Sequence, residues 1–362
     1  MAEFEKPEHS KSQIVKAGKT LRRNITEVSD DVVSAFAIAH NWRSSYAYPM
    51  RRIRHELRGK VSRDGGVGVT AARLKRMSSI RKKLSPGNLT LYQMQDIAGA
   101  RAILPDMKAV DRVSGYFESG DSPHAVFKVN DYISAPKPDG YRSRHIILKF
   151  TGTGEDEVYG RQFVEVQLRT EKQHAWATAV EAVGLVRSED MKAGRGNDDW
   201  LRFFSLMSAE IAAREAKTGH NSRSRSEELA DLNSKIKALV ELRSYNQALQ
   251  FTDRVDAHEG GLFLINFNPI GKRVTVSPYS RYRDGSAAYD AEDRDLRETN
   301  AVLVEVDRVR DLKSAYPNYF LDVQNFVGEC ELSIDGKEPP RLDDIDVSWL
   351  RNWTNSSRRG RR

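Results

Sequence analysis

The stretch FVEVQLRT, residues 163–170, alternates without interruption. In an extended chain successive side chains point to opposite faces. Val164, Val166 and Leu168 therefore fall on one side and Glu165, Gln167 and Arg169 on the other. The apolar side demands a core. The other side sets a carboxylate, an amide and a guanidinium in a row, which is unusual for a strand that merely faces water. A helical stretch with His174 and Trp176 follows at once, so the polar face is expected beneath a roof.

Composition narrows the partners. The chain has 362 residues, 39% hydrophobic and 30% charged, enough for two domains with a sizeable core. The net charge of +7 favours anionic partners such as nucleotides, RNA or phosphates. The single cysteine, Cys330, leaves no internal disulfide. It reads as a small core residue, and a cytoplasmic location is expected. The opening MAEFEKPEHSKSQ lacks the apolar run of a secretion signal, and no stretch approaches the ~20 apolar residues of a membrane span. The eight histidines are scattered without ligand spacing, and no His-Asp dipeptide occurs, which argues against Cys/His metal centres and against a phosphohydrolase of that type. QIVKAGKT ends like a phosphate-binding loop, but Gln13 stands where the first glycine is needed and no strand precedes it.

Helical and strand patterns mix along the chain, so the expected fold class is α+β. Residues 1–28 read as a polar, frayed segment. SDDVVSAFAIAHNW reads as a helix capped by Ser29, interrupted at Pro49 and resumed in MRRIRHELRGKV. TAARLKRMSSIRKKL reads as one helix opened by Thr70 and closed by SPGN. AVFKVNDYIS and RHIILKF read as strands flanking the loop in PKPDGYRSRH, residues 136–145. EKQHAWATAVEAVG and DDWLRFFSLMSAEIAAREA read as helices, and KTGHNSRSRSEE as a polar joint. A long helix over about residues 227–250 follows. Then come two strands around a Pro-Ile-Gly turn, the helix AAYDAEDRDLRE, the strand NAVLVEVD and a helix broken at Pro317. The expected divisions are 1–28, a domain over 29–222, a second over 223–348 and a basic tail over 349–362.

Three further segments carry chemistry. In RLKRMSSIRKKL, read as a helix, Arg76, Ser79 and Lys83 share a face crowded by Arg73, Lys75, Arg81 and Lys82. Such a face holds a polyphosphate tail, or is a solvated basic helix. In QDIAGARAI, Asp96 precedes Gly99 and Arg101 follows. A carboxylate where backbones approach closely suits Mg2+, or it ends a helix. In the loop over 136–145, Gly140 frees the ring of Tyr141 among Lys137, Arg142, Arg144 and His145. A ring beside cations stacks a nucleobase while the cations hold phosphates, or it is an ordinary hairpin tyrosine.

Taken in order, WRSSYAYP, RLKRMSSIRKKL, DIAGARAI, DYISAPKPDGYRSRH and VEVQLRTEKQHAWA resemble the synthetase domain of the RelA/SpoT family, over roughly residues 40–190. The resemblance implies a mixed β-sheet flanked by helices, followed by a smaller α/β domain. It implies Mg2+-dependent transfer of pyrophosphate from ATP to a ribose 3′-hydroxyl, releasing AMP. By the same resemblance Arg73, Lys75, Ser79 and Lys83 hold the ATP phosphates, with Arg101 near the adenine. Asp96 and Glu165 bind Mg2+, and Glu165 also activates the attacking hydroxyl. Tyr141 stacks on the acceptor base, Lys137 and His145 lie beside its phosphates, and Gln167 and Arg169 line the same pocket. Asp139 stands where the family usually has Asn, Arg144 where an apolar residue is common, and KVND lacks a second cation. These departures bear on which acceptor is used.

Beyond that region YPNYFLDVQNF spaces Tyr316 and Tyr319 three apart, and YSRY does the same for Tyr279 and Tyr282. As residues they read as core aromatics. By resemblance to fused toxin–antitoxin members of the family, Tyr316 and Tyr319 cover the ATP site. Such members modify the 3′-CCA end of tRNA, and some are released by a phage protein at the C-terminal domain. A self-inhibited enzyme acting on tRNA is therefore expected, without membrane or DNA partners. Alarmone synthesis from GDP or GTP is the alternative, and a catalytically silent nucleotide-binding regulator the second alternative.

Overall fold

A computed structural model describes residues 4–63, 67–187, 189–191, 194–216, 223–245, 250–252, 259–268, 273–294 and 300–334. Among these described residues nine strands form one mixed sheet: β1 (Val69–Leu74), β2 (Ala98–Leu104), β3 (Ala125–Asp131), β4 (Arg144–Lys149), β5 (Phe163–Thr170), β6 (Gln250–Thr252), β7 (Glu259–Asn268), β8 (Arg273–Tyr279) and β9 (Asn300–Arg308). Their order across the sheet is β3-β4-β5-β2-β1-β9-β7-β8-β6. Strands β2/β5 and β6/β8 pair in parallel and the remaining neighbours antiparallel. Helices cover both faces, as the α+β expectation requires. Among the described residues no helix is long and apolar enough to cross a membrane.

The alternation in β5 sorts the two faces. Val164, Val166 and Leu168 enter a core with α1 (Lys11–Leu21), α2 (Asp30–Ser44), α3 (Ala47–Arg63) and α5 (Met107–Glu118). The opposite face is covered by α6 (Glu171–Arg187), α7 (Asp198–Ala216) and α12 (Gln324–Ile334) around Trp176, Phe204 and Phe326. Glu165, Gln167 and Arg169 point to that second side, so the roof expected from the helix after β5 is present.

Several local expectations are corrected. The single helix read over TAARLKRMSSIRKKL is strand β1 followed by a shorter helix, α4 (Met77–Leu84). Ala71 and Ala72 lie buried between β2 and β9, so pairing on both backbone edges overrides the helix propensity of Ala and Leu. The segment 1–28 is not simply frayed. Ser10 and Gln13 close a capping box on α1, and Ile14, Ala17 and Leu21 bury one stripe of it. The glycine of the phosphate-loop lookalike, Gly18, is a packing residue: a Cβ there would stand 2.8 Å from Leu91 Cβ. The break read at Pro49 falls at Ser45 and Tyr46, and Pro49 sits in the first turn of α3, where a missing N–H costs nothing. The long helix after the joint is two, α8 (Arg223–Ile236) and α9 (Ala238–Tyr245), separated by Lys237 at φ 52. Of the joint read over KTGHNSRSRSEE, residues 217–222 lie outside the described residues and residues 223–228 are helical, as the start of α8. The turn over 269–271 and the tail over 349–362 also lie outside the described residues.

The described residues beyond the joint extend the same sheet and do not build one of their own. Strands β9, β7, β8 and β6 continue it, with Ala71 opposite Val306 and Arg73 opposite Val304. An ionic clasp backs this seam. Arg54, 3% exposed, meets Glu305 at 3.2 Å and Asp307 at 2.5 Å, and Thr70 donates to Asp307 at 2.6 Å. Arg51 and Arg58 reach the same two carboxylates from the same side of α3. Arg54→Ala removes the buried guanidinium while Arg51, Arg58 and Thr70 still meet the two acids, and is expected to cost ~1–3 kcal/mol. Denaturant unfolding of the full chain measures this.

Candidate active site

The site is a face of the sheet crossed by two rows. One row runs Glu165, Gly99, Arg73 on β5, β2 and β1, and the next runs His145, Gln167, Arg101, Ala71 on β4, β5, β2 and β1. Residues paired in register share a face, so these side chains converge by topology alone. Gly99 leaves the floor open between Glu165 and Arg73. The resulting cleft is open to solvent, and Lys75, Asp96 and Tyr316 complete its lining.

Each wall has its own support. Arg73 and Lys75, expected on a helix, lie on β1 and the turn after it. The buried Arg43 donates from Nε to the Lys75 carbonyl at 2.7 Å, and its guanidinium lies 4.5 Å from the centre of the Tyr289 ring. Ser79 and Lys83 stand one turn apart on α4. Lys75 Nζ and Lys83 Nζ both donate to Asp96 Oδ2, at 3.1 and 2.7 Å.

Glu165 opens a chain of polar contacts. Its Oε1 lies 2.9 Å from His145 Nδ1, and its Oε2 accepts from Gln167 Nε2 at 2.6 Å. His145 Nε2 is 2.9 Å from the Tyr141 hydroxyl. With Glu165 ionised, Nδ1 carries a proton and donates to it. Burial pushes the Glu165 carboxyl up, but His145, Gln167 and Lys75 outweigh it and hold the group at about 2. Lys137 Nζ sits 5.0 Å from the Tyr141 ring centre and 4.6 Å from that of Tyr132. The loop cation therefore lies over the two rings.

Arg169 is 3% exposed, and its Nε has no hydrogen-bond partner. Burial and the neighbouring Arg101 hold it down to about 9, still charged at neutral pH. An anion in this corner would relieve both costs.

His174 is pushed well below 6.5 by burial and by Arg169 and Arg101, and its Nε2 is 2.9 Å from the Ser314 carbonyl. A histidine with a lowered folded value binds fewer protons than its unfolded counterpart, so it withdraws stability as pH falls below about 6.5. Each further pH unit is expected to cost up to ~1.4 kcal/mol until the folded value is reached. A melting series from pH 7 to 5 checks this, with a shallower slope expected for His174→Gln.

The far wall comes from the last third of the chain. After α11 (Val309–Ala315), the Ala315 carbonyl accepts from Arg101 Nη1 at 3.2 Å, and the Tyr316 ring lies 5.7 Å from the Arg101 guanidinium. Tyr316 is 3% exposed and Tyr319 is buried beside it in the same core. Burial pushes the Tyr316 hydroxyl up while Arg101 and Arg73 pull it back. Tyr279 ends β8, whereas Tyr282 opens α10 (Tyr282–Arg294), so that second pair does not share a helix face.

The donor set fits a divalent cation held partly by substrate. Asp96 and Glu165 line one cleft, and Asp96 Oδ1 is buried without a hydrogen-bond partner. Mg2+ needs only one or two carboxylates when phosphates and water complete its shell. Among the described residues no group of three or more His, Cys, Asp or Glu could form a protein-only metal site.

Residues 72–184 match the family model described as "Region found in RelA / SpoT proteins". That RelA/SpoT-like region contains every expected site residue except Tyr316 and Tyr319. The GTP pyrophosphokinase of Escherichia coli K12 is 26% identical over 162 residues, 43% of this chain and 21% of that protein. The GTP pyrophosphokinase YwaC of Bacillus subtilis is 33% identical over 117 residues, 30% of this chain and 54% of that protein. The chain thus spans a fifth to about half the length of these curated relatives. A crystal structure of small alarmone synthetase 1 from B. subtilis, bound to its product pppGpp, is 20% identical with a TM-score of 0.42, covering 52% of this chain and 95% of that one.

Within the RelA/SpoT-like region the structure gathers Arg73, Lys75, Asp96, Arg101, Glu165 and Gln167 into one cleft. Lys83 joins through Asp96, and His145, Tyr141 and Lys137 join in series through Glu165. Sequence reasoning named His174 only as part of the roof and gave no role to Arg43 or Tyr132, although WRSSYAYP and the Asp-Tyr pair opening the loop contain them. The contacts of Arg43 and His174 were not legible, because they span 32 and 140 residues.

Proposed function

We propose that this chain transfers pyrophosphate from ATP to the ribose 3′-hydroxyl of a guanine nucleotide. One observation carries the reading: two carboxylates, Asp96 and Glu165, face the same cleft as Arg73, Lys75 and Arg101. Transfer of this kind demands positioning and charge neutralisation more than covalent help from the protein. The acceptor 3′-oxygen forms a bond to the β-phosphorus, the bond from that phosphorus to the α,β-bridging oxygen breaks, and AMP leaves with the electron pair. Arg73, Lys75, Ser79 and Lys83 hold the phosphates, and Arg101 lies toward the adenine. Asp96 and Glu165 would hold Mg2+, which supplies charge neutralisation at the transferred group. At about 2, Glu165 stays ionised and accepts a hydrogen bond from the attacking hydroxyl, but it is too weak a base to keep that proton, which passes to solvent water at the open cleft as the new bond forms. Tyr141, with Lys137 and His145 around it, takes the acceptor base and its phosphates, and Gln167 and Arg169 line the same side.

The acceptor order differs from the one the sequence analysis favoured. The E. coli and B. subtilis relatives are named GTP pyrophosphokinases, and this supports a guanine nucleotide ahead of the tRNA end. A second reading, transfer to the 3′-CCA end of tRNA by a self-inhibited enzyme, keeps one supporting observation: Tyr316 already lines the cleft beside Arg101. In either reading Tyr316 and Tyr319 restrain ATP entry. β-Labelled ATP offered to the full chain with GDP, GTP or bulk tRNA separates the two. Label in GDP or GTP with tRNA blank supports the first, and label in tRNA alone replaces it with the second.

A further inference from the structure

We propose that Ser208 is a positioning residue for the acceptor loop, an inference that rests on the functional reading above. Tyr141 stands between Gly140 and Arg142, and Ser208 on α7 holds both neighbours. Its Oγ donates to the Gly140 carbonyl at 2.5 Å and accepts from Arg142 Nε at 3.1 Å. Arg142 Nη1 also donates to the Ile133 carbonyl at 2.6 Å, which ties the opening limb of the loop to the closing one. Ser208 is 4% exposed, so these bonds are shielded from competing water.

The backbone geometry leaves no slack. Gly140 has φ +92, and a Cβ there would stand 3.0 Å from Ser208 Cβ and 3.3 Å from both the Ser205 Cα and the Trp176 ring. The loop thus lies directly on α6 and α7. Helix α7 is anchored further along by Arg214, which bonds Glu329 of α12 at 2.6 Å. The ring of Tyr141 is therefore set from both ends: its hydroxyl by His145, its backbone neighbours by Ser208. Asp96, in contrast, is held by Lys75 and Lys83. Loss of the Ser208 hydroxyl should act on the acceptor and leave ATP binding alone.

The test compares Ser208→Ala with Ser208→Thr, which keeps the hydroxyl, in the full chain and in the full chain carrying Tyr316→Ala. Ser208→Ala strands the Gly140 carbonyl and the Arg142 Nε–H. It is expected to raise the KM for the acceptor about tenfold, with kcat and the KM for ATP within about twofold, and Ser208→Thr is expected to restore it. Hydrogen exchange gives a readout independent of activity. Amides over 137–143 are expected to exchange about tenfold faster in Ser208→Ala, with the rest of the chain unchanged. Unchanged loop exchange overturns the tie whatever the activity. Faster exchange with an unchanged acceptor KM, or with equal losses for ATP and acceptor, overturns the positioning role. No transfer to GDP, GTP or tRNA by either parent chain, with the loop loosened as expected, overturns the pyrophosphate-transfer reading and supports the tie.

Discussion

Glu165→Gln is expected to lower pyrophosphate transfer about 10³-fold while the fold stands. The substitution keeps volume and shape, and the amide oxygen still accepts from His145 Nδ1, now as a neutral acceptor. It removes one of the two carboxylates that would hold Mg2+ and the charge that meets the attacking hydroxyl. The cleft becomes more positive by one charge, so ATP affinity should not fall, and the loss should appear in kcat with the KM for ATP equal or lower. Initial rates with β-labelled ATP measure this, and a variant retaining near-native kcat would remove Glu165 from the mechanism. Stability carries a second signature. A carboxyl held near 2, against an ordinary value of 4.5, contributes stability above pH 4.5 and loses it as pH falls toward 2. The wild type should therefore lose its advantage over Glu165→Gln across that window, by an amount on the order of 3 kcal/mol.

The sequence disclosed β5 and its two faces because one buried side and one functional side impose strict alternation, a signal contained in eight consecutive residues. β1 was hidden. Its Ala71 and Ala72 satisfy a helix as well as a strand, and only pairing with β2 and with β9, more than 230 residues on, decides between them. The same distance hid the single sheet. NAVLVEVD announces a strand, but Glu305 and Asp307 reveal nothing of Arg54 until α3 lies across them. Asp96, Glu165 and Tyr141 could be put forward as site candidates because each belongs to a short ordered motif. Ser208 could not, since a serine in a helix of mixed composition looks like any helical serine, and its meaning comes from Gly140, 68 residues earlier.

Tyr316→Ala is expected to raise transfer by the full chain at least about tenfold at limiting ATP, chiefly through a lower KM for ATP. The ring lies where Arg101 and Arg73 converge, and the adjoining Ala315 carbonyl occupies Arg101 Nη1. ATP approaching that guanidinium must compete with both contacts. Its apparent affinity is reduced by the fraction of molecules in which the segment has withdrawn. Truncating a buried aromatic ring costs about 3–5 kcal/mol. Even a third of that, spent on holding the segment in place, shifts the equilibrium about tenfold. Tyr316→Phe separates the ring from its hydroxyl and should remain as restrained as wild type if packing dominates. The melting temperature controls for general damage. A Tyr316→Ala chain that melts as wild type does and shows the same KM for ATP would mean the ring belongs to the core alone. A lower KM with an unchanged kcat would mean that the chain competes with its own substrate, and that whatever draws the segment over 314–319 away from the cleft switches the enzyme on.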